Sequence, residues 1–359
     1  MKSAVLLLNF GEPEQPVLEE VVTFLERIFS MNDALEGRSA GAPSERARKL
    51  AAARAPGLIE EYRRIGGSPL RAQAREQASL LEAELTSRGH DVVCIVAMQF
   101  TEPFIIDAIR RARAAGVRQI VALPIYPLCG PSTTVAALQR VESDLRTQLW
   151  SVPVRQISGW HRHPAYLAFR AAAIRAVVAD AGLSLDDART KLVFSAHGTP
   201  MKYIEQGSRY DVYVREFCAA VASAVGAADY AIGYQNHTNR PIEWTQPDVE
   251  RVVAEIDAEH IVVDPVSFMH EQSETLGELD HELKSVADAR GLGFHRVPIH
   301  HAAPEFISLL ADLTVPLLDD GAPEPPAGSD RPWGACRCKP GAHCLNAVGP
   351  GTHSAEWPV

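Results

Sequence analysis

Val193-Phe194-Ser195-Ala196-His197-Gly198-Thr199-Pro200 closes a strand-like run (191–194) with a histidine, then Gly, Thr and Pro, which cannot carry the strand further. In a parallel α/β sheet, ligands bind at the carboxyl ends of the strands, so this order of residues offers an imidazole to a cleft. The same order also fits an ordinary strand-to-loop turn with a satisfied histidine. The rest of the chain has to decide between the two.

Outward from this stretch, short β-branched runs alternate with amphipathic ones, the pattern of a parallel α/β fold. Strands are expected at 4–9, 92–97, 119–124, 191–194, 230–234, 260–264 and 294–297. Helical spacing marks Leu18, Val21, Val22, Leu25, Ile28 and Phe29, and the segments 164–181, 210–225, 249–256 and 276–289. The expected fold is two Rossmann-like, doubly wound α/β domains whose parallel sheets face a cleft. Their bounds are 1–155 and 156–315, followed by an irregular tail over 316–359 that is rich in Pro and Gly.

The chain has 359 residues, 46% of them hydrophobic, enough for two cores of ordinary size. Its net charge of −10 argues against nucleic acid as a partner, since a phosphate polymer needs a basic face. No Gly-x-Gly-x-x-Gly follows a strand and no Walker-type Gly-Lys-Ser/Thr occurs, so a nucleotide cofactor is not expected. The apolar start, Val5 to Leu8, is short for a signal peptide and reads as a first buried strand. A cytoplasmic location is the corresponding expectation.

Glu271, Glu274 and Glu278 are spaced three and four apart, which puts three carboxylates on one helix face while Leu276, Leu279 and Leu283 take another. Such a stripe is either a solvated first turn or the wall of a cleft. Of six cysteines, Cys94 and Cys218 lie in apolar runs and read as buried thiols. Cys336, Cys338 and Cys344 crowd into nine residues of the tail, where a reducing compartment favours metal binding over disulfides.

Several separated motifs together resemble the ferrochelatase family over about residues 3–315. They are Asn9-Phe10-Gly11-Glu12-Pro13, Glu61 to Leu70 (EYRRIGGSPL), Tyr126-Pro127 with Ser132-Thr133-Thr134, Ser195 to Pro200, Tyr234-Gln235 with Trp244, and Ser273 to Asp280 (SETLGELD). The resemblance implies insertion of ferrous iron into a porphyrin, with loss of two pyrrole protons and no soluble organic cofactor. It makes His197, Glu274 and Glu278 catalytic, with His197 and Glu274 also able to ligate the substrate Fe2+. Phe10, Trp244 and Phe268 match positions on or near the porphyrin slot. Arg54, Tyr62 and Ser68 match positions that contact propionates, and Tyr126 matches a pocket tyrosine.

Two departures stand out. Gln272 replaces a histidine common in eukaryotic members, with His270 as a substitute or a solvent-facing residue. Gln99-Phe100 stands where Arg-Tyr is usual. Some members hold a 2Fe–2S cluster on three C-terminal cysteines and one distant one, which implicates Cys336, Cys338, Cys344 and Cys129, with Cys218 the runner-up for the fourth. His343 beside Cys344 leaves zinc open, as are free thiols. Leu25 and Ile28 match a hydrophobic lip that can touch a membrane, or else pack inward. The expected substrate is protoporphyrin IX ahead of coproporphyrin III, for a monomer or homodimer. Rival readings are a cobalt or sirohaem-type chelatase, and a haem- or porphyrin-binding carrier without turnover.

Overall fold

The computed structural model describes residues 1–35, 44–227, 229–236, 242–318, 334–335 and 342–344. The first half begins with β1 (Ser3–Asn9), buried along its whole length, followed by α1 (Leu18–Leu35), α2 (Glu45–Ile65) and α3 (Leu70–Ser87). Next come β2 (Val92–Met98), α4 (Ile105–Ala114), β3 (Gln119–Pro124), a π-helical turn (Pro131–Val135) leading into α5 (Ala136–Thr147), and β4 (Val154–Ile157). The strands are parallel in the order β2-β1-β3-β4.

The second half runs through α6 (Pro164–Asp180), β5 (Thr190–His197), α7 (Met201–Glu205), α8 (Tyr210–Val225), β6 (Tyr230–Gln235) and α9 (Val249–Glu255). It finishes with β7 (His260–Pro265), a π-helix (Ser273–Leu283) continued by α10 (Lys284–Ala289), β8 (Gly293–Arg296) and α11 (Pro304–Leu318). Its sheet, β6-β5-β7-β8, is also parallel.

The period-2 alternation of each strand explains the layering. Val5 and Leu7 of the first sheet, and Leu192 and Phe194 of the second, belong to one core whose helices are α3, α6, α8 and α11. The opposite face of the first sheet (Ala4, Leu6, Leu8) packs on α4 and α5. That of the second (Val193, Ile261, Val263) packs on α9, the π-helix and α10. A fully buried ion pair between Arg170 and Asp264 pins α6 to β7 within this frame.

Strand order reverses between β1 and β3 in one sheet and between β5 and β7 in the other. In open α/β sheets ligands bind at such switch points, outside the carboxyl ends of the strands. Phe10, Glu12 and Tyr126 lie there in the first half, and His197 and Phe268 in the second.

Several expectations need correction. β4 and helices α2 to α5, α7 and α11 go beyond the expected elements, and β5 runs on to include His197. The tail is not wholly irregular: β10 (Ala342–Cys344) pairs parallel with β4, and β9 (Gly334–Ala335) pairs antiparallel with β10. Leu25 is 5% exposed in an apolar cluster with Ala51, Ala55 and Leu58, and Ile28 packs against the same cluster. Leu25 therefore faces inward, not toward a membrane. Among the described residues no helix is long and apolar enough to cross a membrane.

Candidate active site

The chain leaves β1 through Gly11, whose φ of 89° suits glycine and whose missing Cβ makes room for Thr101. That turn drives the next side chain, Glu12, into the interior, where it is 4% exposed. The α2 helix ends at Gly66 (φ 79°) and Gly67 (φ 93°), and this left-handed pair carries Ser68 toward the same point. Ser68 Oγ donates to Glu12 Oε2 at 2.5 Å and Tyr62 Oη donates to Oε1 at 3.2 Å. From the other half, the Ser273 amide donates to Oε2 at 3.2 Å, and Ser273 Oγ donates to Oε1. Glu12 thus ties the two halves together. Burial, and then the Glu274 carboxylate, push Glu12 up to about 8.

The π-helix begins at Ser273. Gln272 caps it, and its Nε2 donates to Glu274 Oε2 at 2.9 Å. Ser273 Oγ is also within 3.0 Å of Glu274 Oε2. A seryl hydroxyl has one proton and cannot donate to two carboxylates at once, so a proton held between Glu12 and Glu274 fits this geometry best. Burial raises Glu274 as well. Four residues on, Glu278 accepts from Gln235 Nε2 at 2.8 Å. Burial first, and Glu274 second, push Glu278 up to about 8. Glu12, buried, and Glu274 and Glu278, half-buried, form a row of carboxyl groups whose charged forms are disfavoured, and Glu12 and Glu278 keep protons near neutral pH.

Gln235 stands beside His197 in the β5–β6 register, accepts from Ser195 Oγ at 2.9 Å, and its Nε2 also reaches Glu274 O at 2.9 Å. The His197 amide donates to Ser267 Oγ at 2.9 Å, Tyr210 Oη donates to the His197 carbonyl at 2.9 Å, and Nδ1 meets Gly198 O at 2.7 Å. An Nδ1–H donated to that carbonyl makes Nε2 the basic nitrogen. Burial lowers the His197 pKa, so the imidazole is neutral and able to accept a proton near pH 7. Gly198 has no alternative here: a Cβ on it would strike Asn236 and come within 2.8 Å of the Gln235 carbonyl.

The ring-holding candidates line up less completely. Phe10 packs at a 54° tilt against Phe100 with ring centroids 4.5 Å apart, and Phe268 lies 6.2 Å from the His197 ring. Tyr126 Oη donates to Gln99 Oε1 at 3.0 Å, so Gln99 takes part in the site. Glu274 raises the pKa of Tyr126, second to burial, and contributes likewise at Tyr62, which puts its carboxylate near both tyrosines. Trp244 stands apart from Phe10, pairing with Pro200 and lining a cavity of 680 Å³ with Met201, Tyr234 and Asp248. Arg54 pairs with Glu61 at 2.9 Å and keeps 38% of its side chain exposed.

Other candidates fall outside the row. Glu271 precedes the π-helix and pairs with Arg296 at 2.9 Å, so only Glu274 and Glu278 form the acidic face. His270 does not face solvent: it is 3% exposed, and burial, with His301 nearby, lowers its pKa to about 3. Glu12, inside the Asn9–Pro13 motif, is a site residue that the resemblance does not mark. The signal lay in a charged residue wedged between Gly11 and Pro13 at a strand end.

The ferrochelatase family model matches residues 2–316. The chain belongs to the ferrochelatase family. Curated ferrochelatases agree with it, including one from Synechococcus sp. (strain RCC307), 33% identical over 86% of this chain and 81% of that protein. Another, from Geotalea uraniireducens (strain Rf4), is 31% identical over 87% of this chain and 97% of its own length. Among solved structures, SirB from Bacillus subtilis with Fe3+ overlays at TM-score 0.50 with 11% identity, covering 88% of this chain and 95% of SirB. CbiX, the terminal enzyme of siroheme biosynthesis in denitrifying bacteria, gives TM-score 0.50 at 15% identity, covering 89% of this chain and 100% of CbiX. At such identities these two show a shared chelatase fold and no more.

In this member of the family the cysteine candidates divide. Cys336 and Cys338 lie outside the described residues. Cys129 is 3% exposed, and Ser158 Oγ donates to its Sγ at 3.4 Å. In the β10–β4 pairing His343 sits beside Ile157, which brings the backbone of Cys344 to the strand end next to Ser158. Cys218 is buried within α8, and Cys94 is half-buried on β2. Among the described residues no three His, Cys, Asp or Glu side chains converge as a ready metal cage.

Proposed function

We propose that this chelatase inserts Fe2+ into protoporphyrin IX, with coproporphyrin III as the second choice. The porphyrin gives up two pyrrole protons and its four nitrogens bind the metal, so the site must take two protons per turnover. His197 Nε2 accepts a proton from the ring, and Glu274 and Glu278 pass protons on or offer oxygen ligands to the entering Fe2+. Phe10, Tyr126, Trp244 and Phe268 hold the ring, and Arg54 contacts a propionate through its exposed guanidinium.

The observation that carries this reading is the row Glu278, Glu274 and Glu12 set beside the end of β5, where His197 stands opposite Gln235 and the Gln235 amide donates to Glu278. A carrier that only bound haem would gain nothing from three carboxyl groups poised to exchange protons. Anaerobic incubation of a catalytic amount of protein with Fe2+ and each porphyrin tests it. Multiple turnovers, faster with protoporphyrin IX, are expected; a stoichiometric complex that never metallates would mark a carrier.

We further infer a 2Fe–2S cluster on Cys129, Cys336, Cys338 and Cys344. The fit rests on the tail strand, which brings Cys344 to the strand end where Ser158 touches Cys129. When bound, such a cluster supplies thiolate–iron bonds that fasten the tail to the first half. No step of metallation is assigned to it.

A further inference from the structure

Glu12 sits in a ring of donors suited to holding a ligand's carboxylate. Tyr62 Oη comes from α2, Ser68 Oγ from the turn after it, and Ser273 brings both its amide and its hydroxyl from the opposite half. Hydroxyl and amide donors fixed on separate elements make a carboxylate-binding site, and here its occupant belongs to the chain. All of these donors are neutral, and Glu274 is close enough to repel Glu12. Burying a carboxylate on such terms is unfavourable. Tyr62 and Ser68, which the sequence offers to a substrate propionate, are already engaged.

We propose that Glu12 is a built-in occupant of a carboxylate site, a specificity-determining residue that excludes substrate carboxylates from this corner of the slot. The proposal rests on the porphyrin reading and narrows it: the ring edge at this corner bears a neutral substituent. Porphyrins with two carboxylates are therefore accepted ahead of those with four.

The test removes the occupant. In the full-length Glu12→Gly variant, propionate should raise the melting temperature saturably and propionamide should not, while the wild type responds to neither. Binding of metal-free porphyrins, followed by fluorescence, should show the preference shifting toward coproporphyrin III over protoporphyrin IX by about tenfold, the size of one charge-assisted hydrogen bond. An unchanged preference overturns the proposal, whatever propionate does to the melting temperature. Should Glu12→Gly not fold, Glu12→Ala also takes the carboxyl group away from its donors. Its preference should shift the same way by about threefold, and no shift overturns the proposal equally. These readouts need no metallation, so they stand apart from catalysis. If neither porphyrin binds wild type or variant, the porphyrin reading fails, and the melting response alone decides whether the corner is a carboxylate site.

Discussion

Replacing Glu274 by Gln should lower turnover by about a hundredfold or more, the usual loss when a positioned acid–base group is removed. The same change at Glu271 should leave the rate within a few-fold and weaken the fold instead. The contrast follows from their partners. Glu274 accepts hydrogen bonds from Gln272 and Ser273 that a Gln oxygen can still accept, and burial already disfavours its charged form. Glu274→Gln should therefore unfold no more easily than the wild type. Glu271 uses both oxygens: Oε1 takes Arg296 at 2.9 Å and the Ile299 amide at 3.0 Å, and Oε2 takes Thr275 Oγ1 at 2.6 Å. A Gln there can turn its NH2 to the Thr275 hydroxyl but meets Arg296 and the Ile299 amide with a neutral oxygen, at a cost of about 1–3 kcal/mol. Arg296 keeps Asp280 at 2.5 and 2.9 Å and is not left unpaired, which favours the lower half of that range. Anaerobic initial rates and urea unfolding, measured on both variants, read the two effects separately. Equal rate losses would refute the division and reduce the acidic face to bulk charge.

Glu278 carries a pH prediction. Its folded carboxyl is pushed up to about 8 from an ordinary 4.5, so the folded state keeps a proton that the unfolded chain releases. Stability due to this group then falls as pH rises from about 5 to 8. Glu278→Gln removes that dependence. Its unfolding free energy relative to wild type should be higher at pH 8 than at pH 5.5 by on the order of 1–2 kcal/mol; the same difference at both pH values would show that Glu278 does not titrate in this window. At the tail, anaerobically purified protein should show 2Fe–2S visible absorption and about two irons per chain. Cys129→Ser should bleach it and Cys218→Ser should not. The reverse result would make Cys218 the fourth ligand, and a colourless protein with stoichiometric zinc would end the cluster reading.

The sheet strands and His197 were legible because strong local signals carry them: the buried runs of β1 and β3, and a histidine set against Gly and Pro. Other elements give weaker signals. β4 is four residues long with Arg and Gln in it, and its burial comes from neighbours on either side. α2 buries Ala47, Ala51 and Ala55, small side chains that leave little apolar periodicity among its charges. The spacing of the acidic stripe holds for Glu274 and Glu278, which share one helix, and not for Glu271, because the helix starts only at Ser273. Whether its hydrogen bonds close over four residues or five is not written in the spacing. Glu12 escaped for a different reason: its donors lie 50, 56 and 261 positions away, so only the folded chain brings them together.

The central claim is that His197 takes a proton from the porphyrin while the carboxyl groups set beside the end of β5 manage proton and metal traffic. The most direct measurement compares His197→Ala with wild type in anaerobic Fe2+ insertion into protoporphyrin IX, alongside binding of the metal-free ring. The account predicts porphyrin binding within a few-fold of wild type and turnover reduced by about a hundredfold or more. A variant that keeps more than about a tenth of the wild-type rate would contradict it, because general-base losses of that kind run far larger.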